Sequence, residues 1–222
     1  MKSRISRIAA AASAIGIALA GCAALPPAAD PASDAPEHRV SRKASGEVAG
    51  TYADAVSKWR TAEEINEWIG ARFEYDQDRA MQLSETQRAR GATVAIHAPD
   101  AFFASPTGIC VDLARFGVET LRRVDPQSRP VYVMIEFDPV YLSGNALRRH
   151  WVAGFERDGM RYFFADSKRP GHIAGPYAGT QAFIDDYAAY RGRQIVAFSE
   201  RDSYQRKLRK PAARQARSER PS

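Results

Sequence analysis

Apolar residues recur at three- and four-residue steps in the first half of the central region and crowd into short continuous or alternating runs in the second. Ile65, Trp68, Ile69 and Phe73 fall on one face of a helix over 61–73. Thr61 and Glu64 suit its start, because the hydroxyl can accept from the Glu64 N–H while the carboxylate reaches back. Residues 50–60 also read as helical, and 77–90 as a charged helix ended by Gly91. The strongest pattern lies over 109–123. There Val111, Leu113, Ala114, Phe116, Val118 and Leu121 leave one polar stripe of Asp112, Arg115, Glu119, Arg122 and Arg123. A helix apolar around most of its circumference is a central one, and Asp125-Pro126 stops it. The second half turns to strand. Residues 129–137 contain Val-Tyr-Val-Met-Ile, and 148–157 and 160–166 flank Asp158-Gly159 as a hairpin. Residues 181–190 read as a short helix with Phe183, Ile184 and Tyr187 inward, and 194–198 as a last strand. Helices followed by a meander of strands predict an α+β fold rather than a doubly wound sheet.

The ends of the chain change the picture of its charge. Residues 1–21 carry Lys2, Arg4 and Arg7, then an apolar run from Ile8 to Ala20. That run is short for a membrane span, so it reads as an export signal. Leu19-Ala20-Gly21-Cys22 resembles a bacterial lipoprotein processing site, which implies cleavage before Cys22 and lipidation of its thiol. Ala23 follows, a residue that in a Gram-negative host favours the outer membrane, with the domain facing the periplasm. Residues 22–45, rich in Pro, Ala, Asp and Ser, read as a disordered tether. Residues 205–222 form a tail of seven Arg/Lys against Glu219. With the leader at +3 and the tail at +6 of a net +6, residues 22–204 carry −3. The high pI thus belongs to the ends, which argues against nucleic-acid binding by the domain. The tail is either a solvated segment or a contact to anionic lipid or cell-wall polymer. Residues 46–204 are enough for one domain.

Candidate chemistry centres on the second cysteine. With Cys22 consumed by lipid, Cys110 has no disulfide partner in an oxidising compartment. It stands in the first turn of the central helix, where free N–H groups and the helix dipole favour a thiolate and could hold an oxyanion. Gly108 removes bulk beside the sulfur, so a substrate could approach. Among four histidines, His38 lies in the tether and His97 and His172 in loop-like sequence. His150 opens the strand His-Trp-Val-Ala-Gly-Phe and is the better base. Asp166 ends the partner strand and could fix the imidazole tautomer. Strand register tests this pairing. A two-residue Asp158-Gly159 loop sets Trp151 opposite Asp166, so the His–Asp pair predicts an odd-length loop or a bulge. Asp112 reads as a stripe carboxylate paired with Arg115 or Arg129, and Trp151 as core. No ligand spacing for a metal and no phosphate loop stands out, so no cofactor is expected.

Together, Gly108-Ile109-Cys110-Val111-Asp112-Leu113-Ala114, His150-Trp151-Val152 and Tyr162-Phe163-Phe164-Ala165-Asp166 resemble the transglutaminase-like superfamily of bacterial cysteine peptidases. The resemblance spans about residues 61–198. It implies a papain-like core, a cysteine-bearing helix on an antiparallel sheet, with Cys110 as nucleophile, His150 as base and Asp166 as orienter. It also suggests Tyr75 as an oxyanion donor. A calcium-dependent subgroup carries acids flanking the cysteine, where this chain has Ile109 and Val111, so calcium dependence is not expected. The function expected is a membrane-anchored cysteine peptidase or amidase acting on envelope protein or peptide. The alternatives are a silent member that binds a peptide or envelope polymer, and an acyltransferase that crosslinks glutamine to amines.

Overall fold

The computed structural model describes residues 50–205. The leader, tether and tail expected at 1–21, 22–45 and 205–222 therefore lie outside the described residues, apart from Gln205. Helices come first: α1 (Tyr52–Lys58), α2 (Ala62–Arg72), α3 (Gln77–Gln82), α4 (Glu85–Ala89), α5 (Pro99–Ala104) and α6 (Cys110–Val124). Strands β1 (Glu74–Tyr75) and β2 (Thr107–Gly108) interrupt them as a short parallel pair. Then follow β3 (Val131–Leu142), β4 (Asn145–Arg157), β5 (Met160–Phe164), β6 (Ala174–Tyr177), α7 (Thr180–Arg191) and β7 (Ile195–Arg201).

Local chemistry explains most boundaries. Thr61 and Glu64 form the capping box their spacing predicts, and Thr51 with Asp54 forms a second at α1. The single helix expected over 77–90 is two, because Ser84 accepts from the Gln87 N–H and caps a new helix at α4. Asp158 and Gly159, both at positive φ, make the tight turn between β4 and β5. Ser143 and Gly144 do the same between β3 and β4, and extend that hairpin beyond the strands the sequence predicts.

The five-stranded sheet has the order β6-β5-β4-β3-β7, antiparallel throughout. It is not a simple meander, since α7 returns the chain to the far edge, beside β3. The two faces are buried separately. On one, Met134, Trp151, Ala153, Phe155 and Phe164 pack with Leu113, Phe116, Val118 and Leu121 of α6 and with α2 and α5. On the other, Val133, Ile135, Val152 and Phe163 pack with Phe183, Ile184 and Tyr187 of α7. Gly117 lets α6 settle on the sheet, because a Cβ there would lie 2.7 Å from that of Ala165. The expected α+β class, with the cysteine-bearing helix packed on an antiparallel sheet, is the architecture found.

Candidate active site

Cys110 is the first helical residue of α6 and is 7% exposed. What holds it there is Asp112, fully buried and accepting from three directions. Ile109 N–H donates at 3.0 Å, His97 N–H at 2.7 Å, and Arg79 Nη2 at 3.0 and 3.2 Å to the two oxygens. The carboxylate thereby ties helix α3 and the His97 segment to the N-cap of α6. Its expected partners, Arg115 and Arg129, are engaged elsewhere, with Glu119 and Glu156. Asp112 is therefore a buried anchor and not part of a solvated stripe. Gly108 also takes another meaning. A Cβ at this position would meet Asp112 atoms at 2.9 to 3.2 Å, so the glycine makes room for the anchor rather than for a substrate. The Gly-Ile-Cys-Val-Asp spacing is the signature of that packing.

Tyr75 pairs with Gly108 across the β1–β2 ladder, and Asp76 N–H donates to the Gly108 carbonyl at 2.8 Å. This brings Tyr75 to the same cleft as Cys110, a space of about 50 Å³. Leu83 and Glu85 form one wall, and Ala146, Leu147, Arg148 and Arg149 of β4 form the other. His150 is the next residue on that strand but does not line the cleft, and no hydrogen bond joins it to Cys110 among the described residues.

His150 itself is buried and belongs, by strand alternation, to the sheet face that carries Ile135 and Val152. Its Nε2 lies 2.9 Å from Asp166 Oδ1. The loop expected to permit this is absent: Arg157 pairs with Met160 around a two-residue turn, and the β4–β5 register runs unbroken from there to Ala153–Phe164. The pair forms by another device. Ala165 has φ +53°, a left-handed backbone that ends β5 and turns Asp166 to the face opposite the one its register assigns. Sequence alternation assumes extended backbone to the last residue, and one left-handed alanine cancels it.

The pair has further partners that the motif did not reveal. Tyr187 Oη donates to Asp166 Oδ1 at 3.0 Å and lies 3.0 Å from His150 Nε2, with its ring stacked on the imidazole at 5.8 Å. Arg191 Nη1 donates to Tyr187 Oη, Lys168 N–H to Asp166 Oδ1, and Arg169 Nε to Asp166 Oδ2. A tyrosine on the inward face of α7 was the available signal, since a buried hydroxyl seeks a partner.

Electrostatics separate the acceptor from the donor in this cluster. Burial alone would raise the Asp166 carboxyl. The hydrogen bond and charge of His150, the charge of Arg169 and the Lys168 N–H outweigh it and hold Asp166 well below the usual carboxylate range. Burial, reinforced by the Asp166 charge, pushes the Tyr187 hydroxyl well above the tyrosine range. Asp166 is thus an acceptor and Tyr187 a donor to it. His150 Nε2 then carries the hydrogen directed at Asp166, and Nδ1 is the nitrogen through which the ring can exchange a proton. That nitrogen is buried and makes no hydrogen bond among the described residues.

Beside Cys110 the side chains do not suit calcium, which takes six to eight oxygen ligands. Ile109 and Val111 are apolar, and both Asp112 oxygens are occupied by N–H donors.

Residues 44–190 match the family model described as a transglutaminase-like domain. Among solved structures, calcium-bound LapG of Legionella pneumophila is similar at 18% identity and a TM-score of 0.36, over 62% of this chain and 62% of that one. No curated protein matches.

Proposed function

The chain belongs to the transglutaminase-like domain family, and from that premise we propose that it is a cysteine hydrolase of peptide or amide bonds. Cys110 is the nucleophile, His150 the base and Asp166 the orienting carboxylate. The observation that carries this reading is the fixed imidazole, with Nε2 held at 2.9 Å by an ionised Asp166 and Nδ1 buried without a hydrogen bond among the described residues. His150 stands on the α7 face of the sheet and Cys110 at the α6 entry, so in this reading the α6 entry moves to bring the thiol to Nδ1, which takes its proton, and the thiolate adds to the substrate carbonyl carbon. The oxyanion forms at the backbone N–H groups of the first turn of α6, with Tyr75 as an added donor. Collapse breaks the C–N bond, and His150 returns its proton to the leaving amine. Water, deprotonated at Nδ1, then adds to the thioester, and its collapse releases the acid and restores the thiol. An amine in place of water would yield a crosslink. Lipidation at Cys22 would place this chemistry at the outer membrane, facing the periplasm. The tail would contact anionic lipid or cell-wall polymer.

The test is the pH dependence of Cys110 alkylation by iodoacetamide in a Cys22→Ser background. A thiolate that titrates below the free-cysteine value of about 8.5, and moves upward in His150→Ala, supports the ion pair. Normal titration in both proteins removes the hydrolase reading. The burial of Cys110 favours one alternative, a silent member that binds peptide, because a cleft of about 50 Å³ holds one or two waters. An unreactive thiol would establish it.

A further inference from the structure

A larger cavity, of about 540 Å³, adjoins the Cys110 cleft and shares Glu85 and Arg149 with it. Its floor is the α6 face of the sheet, where Met134 pairs with Trp151 and Glu136 with Arg149. Tyr204 and Arg88 stand at its walls, and Arg201 of β7 at the far side. The charges in this cavity are not equivalent. Glu136 lies within ion-pair reach of Arg148 and Arg149, at 3.5 and 3.1 Å, and Glu85 within reach of Arg88 and Arg149, at 3.6 and 3.4 Å. Both acids are therefore already offset. Arg201 has no carboxylate within ion-pair distance among the described residues. Its guanidinium carbon stands 5.7 Å from the centroid of the Trp151 ring, and its Nε donates to Ser199 Oγ at 2.9 Å. The ring and the serine orient the fork and leave both terminal nitrogens for a planar anion.

Resting on the hydrolase reading for its role but not for its existence, we propose that this cavity is a substrate subsite for an acidic peptide side chain. The Arg201 fork takes the carboxylate, and Trp151 and Met134 contact the aliphatic stem. The peptide then runs past Glu85 and Arg149 to Cys110. The substrate is thus a peptide with Glu or Asp a few residues from the bond at Cys110, not a neutral or basic one. The bidentate geometry makes arginine, not merely a positive charge, the requirement.

Binding is measured by anisotropy of a fluorescein-labelled octapeptide of glutamate and, in parallel, one of glutamine. The protein is the full chain carrying Cys110→Ala, so no turnover occurs. The glutamate peptide is expected to bind and the glutamine peptide not to. Arg201→Gln should weaken the glutamate peptide about tenfold or more, as loss of a charge-assisted pair does. Arg201→Lys should recover only part of it. Arg201 has no partner carboxylate among the described residues, so its loss leaves no buried charge there, and an unchanged denaturation midpoint checks the fold. Equal binding of both peptides overturns the subsite, and glutamate binding indifferent to Arg201→Gln overturns it and assigns the attraction to the basic tail. Because Cys110 is absent from this assay, an inert thiol would sink the hydrolase and leave the subsite standing, and the reverse result would do the opposite.

Discussion

Asp112 and Asp166 are both buried carboxylates ringed by N–H donors, and they do different work because of what donates. Around Asp112 the donors are an arginine and two backbone amides, none of which changes protonation in the range where proteins fold. That carboxylate can only hold geometry, and what it holds is the entry to α6 and so the position of Cys110. Around Asp166 one donor is an imidazole whose other nitrogen is unused among the described residues. That carboxylate holds geometry too, but through His150 it sets where a proton can go. Burial and satisfied hydrogen bonds therefore do not separate an anchor from an orienter. The titratable neighbour does.

The largest effect should come from breaking the anchor. Asp112→Ala leaves the Arg79 charge without its acid and orphans the Ile109 and His97 amides, at a cost of about 3–5 kcal/mol. Equilibrium denaturation reads it, and the same variant should blunt Cys110 alkylation at every pH because the helix entry shifts. Gly108→Ala attacks the same contact from the other side. Its Cβ would press on the Asp112 carboxylate, for about 1–3 kcal/mol of overpacking. If Gly108→Ala were neutral, the account of the motif as packing around Asp112 would be wrong.

The orienter should respond in activity before stability. Asp166→Asn keeps the shape but offers an amide where His150 needs an acceptor. In the hydrolase reading, peptide turnover falls on the order of a hundredfold or more, while the thiolate titration of Cys110 moves toward its free value. The acid response separates the two carboxylates further. A folded-state pKa below the unfolded value of about 3.9 gives stability that is present above that value. It is lost as pH falls toward the folded-state titration. The wild type should therefore lose stability on acidification through this range, and Asp166→Asn should show a flatter curve. Tyr187→Phe removes one donor from Asp166 and one acceptor from Arg191, and should cost about 1 kcal/mol. It should also move the acid transition of the wild type upward, because Asp166 loses a bond that favours its charge.

What could be read in the sequence, and what could not, divides along the same line. The anchor's helix was legible because α6 is apolar on most of its surface and stops before Pro126, and the α2 cap at Thr61 and the β4–β5 turn at Asp158-Gly159 obey local rules in the same way. The role of Asp112 was not legible, because Arg79 lies 33 positions away and only tertiary packing brings it in. On the orienter's side, His150, Asp166 and Tyr187 could each be placed on an element, but their meeting could not be derived. Alternation along β5 assigns Asp166 to the wrong face, and Tyr187 reaches the pair only because α7 folds back across the sheet. Strand β6 and helix α5 escaped for a simpler reason: each is too short to show a period.

Ala165 is the hinge of that difference and gives the smallest and sharpest test. Its φ of +53° costs an alanine about 1 kcal/mol that a glycine would not pay. Its methyl, however, is fully buried and packs where α6 carries Gly117. Ala165→Gly thus exchanges backbone relief for a lost methyl contact and a looser joint, and its stability should lie within about 1 kcal/mol of wild type. Ala165→Val sets a β-branched side chain at the same φ and drives a second methyl toward α6, so it should be destabilising by several times as much. If the left-handed turn is what brings Asp166 to His150, the glycine variant keeps the depressed Asp166 titration, read by carboxyl-carbon NMR, and the valine variant loses it. Should both variants keep that titration, the pair is held by Tyr187 and Arg169 alone, and the backbone of Ala165 is a consequence of the contact instead of its cause.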